Sequence, residues 1–210
     1  MKQLSLALLF SLVTSSSWAD ALAVKAGLAS WWTEGDAEGV NESARQQWSA
    51  NAAFEHPVPL IPNVKLRYWD YAEGGDSGME LATLDAIAYY EILDNAAIDL
   101  DLGIAATNFQ DGQVGVGRRF EGWIPQLYGA VRIPLPFTGF GIYSEGTGTS
   151  FDDTTAYDIE GGVDYLLDMP VLDLSLRLGY RQVKNDFDGF DKFSGRLEFS
   201  GWSLGVLVDL

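Results

Sequence analysis

Few side chains in this sequence are equipped for acid–base or nucleophilic chemistry. The chain has one histidine, His56, and no cysteine among 210 residues. A hydrolytic centre working near neutral pH commonly needs a histidine or a thiolate with an oriented partner. His56 stands in the run Glu55-His56-Pro57-Val58-Pro59-Leu60-Ile61-Pro62-Asn63. A residue before proline is confined to extended backbone, so it reads as a turn residue rather than a base. Among 30 Asp and Glu, no carboxylate pair stands apart as an acid–base couple. Asn185-Asp186-Phe187-Asp188-Gly189-Phe190-Asp191 interleaves carboxylates with aromatics, but it lacks the distal bidentate Glu of a calcium loop. It reads as an acidic, solvated loop that could serve surface recognition. The expectation is no catalytic residue, no cofactor and no metal.

The placement of the charges is more informative than their types. Asp99 and Asp101 alternate with Ile98, Leu100, Leu102 and Ile104. Asp173, Arg177 and Arg181 alternate with Leu172, Leu174, Leu176, Leu178 and Tyr180, and Asp158, Glu160 and Asp164 with Tyr157, Ile159, Val163 and Tyr165. A period of two is that of a β-strand with two unlike faces. Lys25, Lys65, Arg67, Arg132, Arg177 and Arg181 then share one face with Glu55, Asp85, Glu91, Asp99, Asp101, Asp158, Glu160, Asp164 and Asp173. A turn centred between Asp168 and Met169 would set Val163 against Leu174 outside and Glu160 against Arg177 inside, an opposite-charge cross-strand pair. Such a set can either fill a small barrel with ion pairs or, since acids exceed bases, line a narrow cation-preferring path.

The elements that position these charges are ten strands, over residues 22–33, 46–56, 63–73, 80–92, 96–108, 121–134, 138–146, 155–167, 171–184 and 194–210. Eight strands is the alternative, because 138–146 is short and rich in Gly. Compact connections (56–63, 93–96, 134–138, 167–171) alternate with longer acidic, Gly-rich ones (33–45, 73–79, 108–120, 146–154, 185–193). Short turns at one end and long loops at the other, around an even number of strands, describe an up-and-down transmembrane β-barrel with both termini at the turn end. Closure gives every backbone N–H and C=O a partner, which a bilayer demands. Trp31, Trp32, Trp48, Trp69, Trp123 and Tyr157 fall near the loop ends and Phe54, Tyr89, Tyr90, Phe140 and Tyr165 near the turn ends, reading as two interfacial belts.

The two termini support export and insertion. Met1-Lys2-Gln3, the apolar run from Leu4 to Val13 and Ser17-Trp18-Ala19 form a cleavable leader over 1–19, leaving the barrel as 20–210. The leader removes one Lys and no acid, so Lys+Arg falls from 13 to 12 and the mature charge is 12 − 30 = −18. That charge excludes nucleic acid as a partner. At the other end Ser203, Gly205, Val208 and Leu210 resemble the C-terminal signal by which the barrel-insertion machinery recognises its clients. Leu197 and Phe199 have the opposite parity to Trp202, Leu204, Val206 and Val208, so a β-bulge is expected near Ser200-Gly201.

The Pro-rich run 55–63, Tyr89-Tyr90-Glu91-Ile92-Leu93-Asp94-Asn95, Leu135-Pro136-Phe137-Thr138-Gly139 and Gly179-Tyr180-Arg181 resemble a small, uncharacterised family of Gram-negative outer-membrane β-barrel proteins. The resemblance implies the barrel fold and an outer-membrane location. It brings no activity to any residue. The expected partners are the outer-membrane bilayer and its lipopolysaccharide, whose phosphates the exposed doublet Arg118-Arg119 would meet. The function expected is structural, or that of a narrow porin-like pore, in a monomer.

Overall fold

A computed structural model describes residues 22–37, 40–58, 60–72, 80–114, 118–151 and 154–210. The leader expected over 1–19 and the loop 73–79 lie outside the described residues. Ten strands follow in chain order: β1 (Ala23–Ala37), β2 (Val40–Glu55), β3 (Asn63–Ala72), β4 (Glu80–Asn95), β5 (Ile98–Val114), β6 (Arg118–Pro134), β7 (Phe140–Phe151), β8 (Thr154–Asp168), β9 (Asp173–Phe190) and β10 (Phe193–Asp209). Each pairs antiparallel with its sequence neighbours, and β10 closes on β1. The protein is therefore an all-β, closed, up-and-down barrel, with ten strands rather than eight.

Alternation along each strand separates the faces. Leu28, Ile104 and Leu127 point outward and are 66%, 64% and 71% exposed, whereas Asp85, Arg181 and Trp31 point inward and are buried. The last residue extends the seam, as Leu210 and Val24 exchange main-chain hydrogen bonds of 3.1 Å. The connection from β6 to β7 turns on Gly139 (φ +74°). Its Thr138 hydroxyl donates to the Leu135 carbonyl at 2.8 Å.

Four expectations need correction. First, β8 and β9 pair with Val163 opposite Leu178, Asp164 opposite Arg177 and Glu160 opposite Arg181. Opposite charges still face each other, but the hairpin is centred two residues further along, because Pro170 and Val171 stay in the turn. Second, β10 runs against both neighbours without a register shift at Ser200 or Gly201. Leu197 and Phe199 keep the parity of Ser203 and are buried, 1% and 2% exposed. Their parity marks an apolar interior at that level, not a bulge. Third, Trp31, Trp69 and Tyr89 are buried inside the barrel. Trp32, Trp48, Trp123 and Tyr157 do point outward toward the loop end, as do Phe54, Tyr90 and Phe140 toward the turn end.

Fourth, most of what reads as long loop is strand. β5 runs on to Val114 and β6 begins already at Arg118, and β9–β10 runs on as a hairpin through 185–193. At about 3.3 Å per residue and a tilt near 40°, a 17-residue strand rises about 43 Å, well past a hydrocarbon layer of about 30 Å. The extensions have their own core. The described β2–β3 ladder stops at Ser49↔Trp69 and the β6–β7 ladder at Leu127↔Gly148. Pro125, without an N–H, lies two residues beyond the second stop, where a missing donor costs least. Above these stops the barrel wall divides into two sheets, β3–β6 and β7–β10 with β1 and β2, packed face to face. Tyr71, Phe109, Phe120 and Ile124 of one meet Trp31, Phe187, Phe193, Leu197 and Phe199 of the other. Phe120 stacks on Phe193 with centroids 4.5 Å apart, and Phe109 meets Phe187 edge-on at 5.3 Å.

Candidate functional site: the lumen

The inward faces form three levels from the loop end to the turn end. The first is the aromatic core just described, which closes the loop end. The Trp31 indole, directed inward from β1, donates 3.0 Å to the Asp70 carbonyl at the point where β3 has left β2. Asp191, at the tip of the β9–β10 hairpin, accepts the Glu121 N–H at 3.1 Å, tying that tip to β6.

The second level is a buried ion-pair layer. Arg181, 0% exposed, donates through Nε to Asp158 at 2.6 Å and through Nη2 to Asp158 and the Tyr71 hydroxyl. Its guanidinium lies over the Trp69 ring, 3.0 Å from the centroid. Arg67 donates through Nε to Asp85 at 2.7 Å, and Thr107 donates to the other oxygen of the same carboxylate at 2.7 Å. Glu145 holds Lys65 at 2.5 Å, Arg67 at 3.5 Å and Arg177 at 3.9 Å. β3 and β8 stand diametrically opposite in a ring of ten, and Arg67 and Tyr71 nevertheless reach Asp158 at 3.6 and 3.3 Å. The layer thus crosses the full diameter of the lumen. Burying these charges is tolerable because Lys65, Arg67 and Arg181 each donate a hydrogen bond to a carboxylate, while Arg177 stays 3.9 Å from Glu145.

The third level is a cavity of about 620 Å³ that opens at the turn end. Lys25 pairs with Glu55 at 2.7 Å, and the Tyr89 hydroxyl donates to Glu55 at 2.6 Å. Arg132 pairs with Asp164 at 2.8 Å and reaches Asp99 at 3.8 Å. Tyr143 donates to Glu160 at 2.6 Å. Opposite, Gly179 leaves the room this pair requires, since a Cβ there would stand 2.5 Å from the Tyr143 hydroxyl.

The charged residues singled out in the sequence divide between these levels. Lys65, Arg67, Asp85, Asp158, Arg177 and Arg181 belong to the ion-pair layer, with Lys65 and Arg177 also lining the cavity, and Glu160 stands beside it. Lys25, Asp99, Asp101 and Arg132 line the cavity. Ser203 and Gly205 face inward on β10 opposite Trp31 and Ala29. Glu145 was missed because residues 146–154 read as a loop, which hid the alternation of Tyr143, Glu145 and Thr147. The tyrosines were missed because an inward Tyr89 and an outward Tyr90 are alike at the level of composition. His56 is part of the turn: its Nδ1 accepts the Val58 N–H at 3.2 Å, and its own N–H donates to Asn63 at 3.0 Å. The segment 185–191 is the end of β9 and its tip. Asn185 and Phe187 are buried, and Asp186 pairs outside with Arg196 at 2.9 Å. Arg119 donates to Gln113 at 3.0 Å. No group of three or more potential metal-ligating side chains occurs among the described residues.

No family model matches the sequence, and no curated protein matches it. Among solved structures, Neisserial surface protein A is similar at 13% identity and a TM-score of 0.36, over 89% of this chain and 96% of that one. A likeness at that level carries no argument about this chain, whose barrel stands on its own strand pairing.

Proposed function

We propose that the chain is a monomeric integral outer-membrane barrel with a structural role and a lumen sealed to ion flow. The observation that carries the membrane reading is the outer wall. Leu28, Leu66, Ile104, Leu127, Leu178 and Leu204 all point away from the lumen and are 46% to 71% exposed, and a barrel in water would turn such residues inward. An apolar exterior around a charged interior, flanked by outward aromatics, is the pattern of outer-membrane barrels. The C-terminal residues Val208 and Leu210 lie on the closing β10–β1 seam, in keeping with a role as the signal read during insertion. The sealed reading rests on two stacked barriers, the ion-pair layer and the aromatic core. Either alone would interrupt a water path.

The test is single-channel current across a planar bilayer with the refolded protein. Insertion is verified separately by the faster electrophoretic migration of the unheated, folded barrel. A silent, inserted barrel is the expected result. Discrete cation-selective steps that fall when Asp99 and Asp101 are neutralised would replace this reading with a slim pore.

A further inference from the structure

We infer that the turn-end cavity is a binding site for a small aliphatic di- or polyamine, entering from the turn side. Its shape is that of a receptor: about 620 Å³, open at one end and floored by the ion-pair layer. Eight carboxylates and four cationic side chains line it. All four cations are already matched, Lys25 with Glu55 at 2.7 Å, Lys65 and Arg177 with Glu145 at 2.5 and 3.9 Å, and Arg132 with Asp164 at 2.8 Å. The surplus negative charge is therefore not neutralised from within.

Two polar groups in the wall are left over. Asp101 makes no hydrogen bond or ion pair with any described residue, although it lines the cavity beyond the rim residue Asp99. Tyr128, 4% exposed, presents a hydroxyl with no hydrogen-bond partner among the described residues. Asp101 lies opposite Ala130 and Gly103 opposite Tyr128, so Asp101 and Tyr128 are diagonal neighbours on one face of β5–β6, within reach of a single ligand group. The Tyr89 and Tyr128 rings, with centroids 5.7 Å apart, wall the same space. A carboxylate and a free phenol oxygen together suit an ammonium group, which donates to both, while Lys65 Nζ already lies 5.7 Å from the Tyr128 ring centroid. Ala53, Ala130 and Leu207 provide apolar surface for the methylenes between two such groups. A hydrated divalent ion would not use that surface.

The inference does not depend on the membrane reading, because folding of the barrel is scored separately by its heat-sensitive electrophoretic mobility. The experiment is isothermal titration of spermidine into the protein refolded in zwitterionic micelles at low ionic strength. The expected result is saturable binding at one site, weakened about tenfold or more in Asp101→Asn and to a smaller degree in Tyr128→Phe, with both variants still folded. Absence of saturable heat would overturn the proposal. So would unchanged affinity in folded Asp101→Asn, or loss of binding in Asp188→Asn/Asp191→Asn, which would place the amine on the acidic hairpin tip. Displacement by magnesium at equal charge concentration would overturn the amine assignment in favour of a plain cation site.

Discussion

Replacing Arg181 with alanine tests whether the ion-pair layer holds the barrel together or merely fills it. Arg181 is fully buried and holds Asp158 by two donors while lying over Trp69. Its removal leaves a buried carboxylate short of its principal counter-charge, and breaking such a pair costs about 3–5 kcal/mol. Arg196 makes a superficially similar contact, two donors on Asp186 at 2.9 and 3.1 Å, but its side chain is 58% exposed. Exposed pairs contribute at most about 1 kcal/mol. With a urea slope of about 2 kcal/mol per molar, Arg181→Ala should lower the midpoint by about 1.5–2.5 M and Arg196→Ala by less than about 0.5 M. The assay is reversible urea unfolding of the membrane-inserted barrel, followed by tryptophan fluorescence. The double variant Arg181→Ala/Asp158→Ala should lose less than the sum of the two single variants, since it no longer strands a charge. Equal shifts for Arg181→Ala and Arg196→Ala, or strict additivity in the double variant, would refute the reasoning.

Three further outcomes follow from the same geometry. Phe120→Ala with Phe187→Ala removes facing rings of the loop-end core and should cost several kcal/mol, about 3–5 for each buried aromatic. The lumen should stay silent in planar bilayers because the ion-pair layer remains below it; adding Arg67→Ala and Arg181→Ala is expected to produce the first measurable current steps. The native chain has no cysteine, so single-cysteine variants report parity directly. Cysteine at Leu197 and Phe199 should resist a soluble thiol reagent while cysteine at Glu198 reacts, and the reverse order would restore the bulge. Gly179→Val should destabilise the folded barrel, because its side chain would meet the Tyr143–Glu160 hydrogen bond; a urea midpoint equal to that of the parent chain would remove the crowding argument.

The sequence carried the barrel plainly, because a strand's two faces meet two different solvents and the period of two is visible wherever Leu and Ile alternate with Asp and Arg. Register was less legible. Glu160 and Arg177 carry opposite charge, but so do Glu160 and Arg181, and Asp164 and Arg177. When a face presents charges of suitable sign at every second position, electrostatics accepts shifts of two or four residues almost equally. The turn then decides, and the number of residues that Met169, Pro170 and Val171 keep out of the ladder is set by proline geometry rather than by the charge pattern. The level of a residue along the barrel axis was the least legible quantity. Inward Trp31, Leu197 and Phe199 obey the same alternation as inward Asp85 and Asp158, yet they occupy a stretch where the wall has parted into two sheets. There the inward face meets another sheet instead of a polar lumen. An apolar residue of the wrong parity near the end of a barrel strand is therefore better read as one half of a facing pair than as a break in the strand. In this chain Phe199, its ring 5.5 Å from that of Tyr71 across the lumen, is such a half.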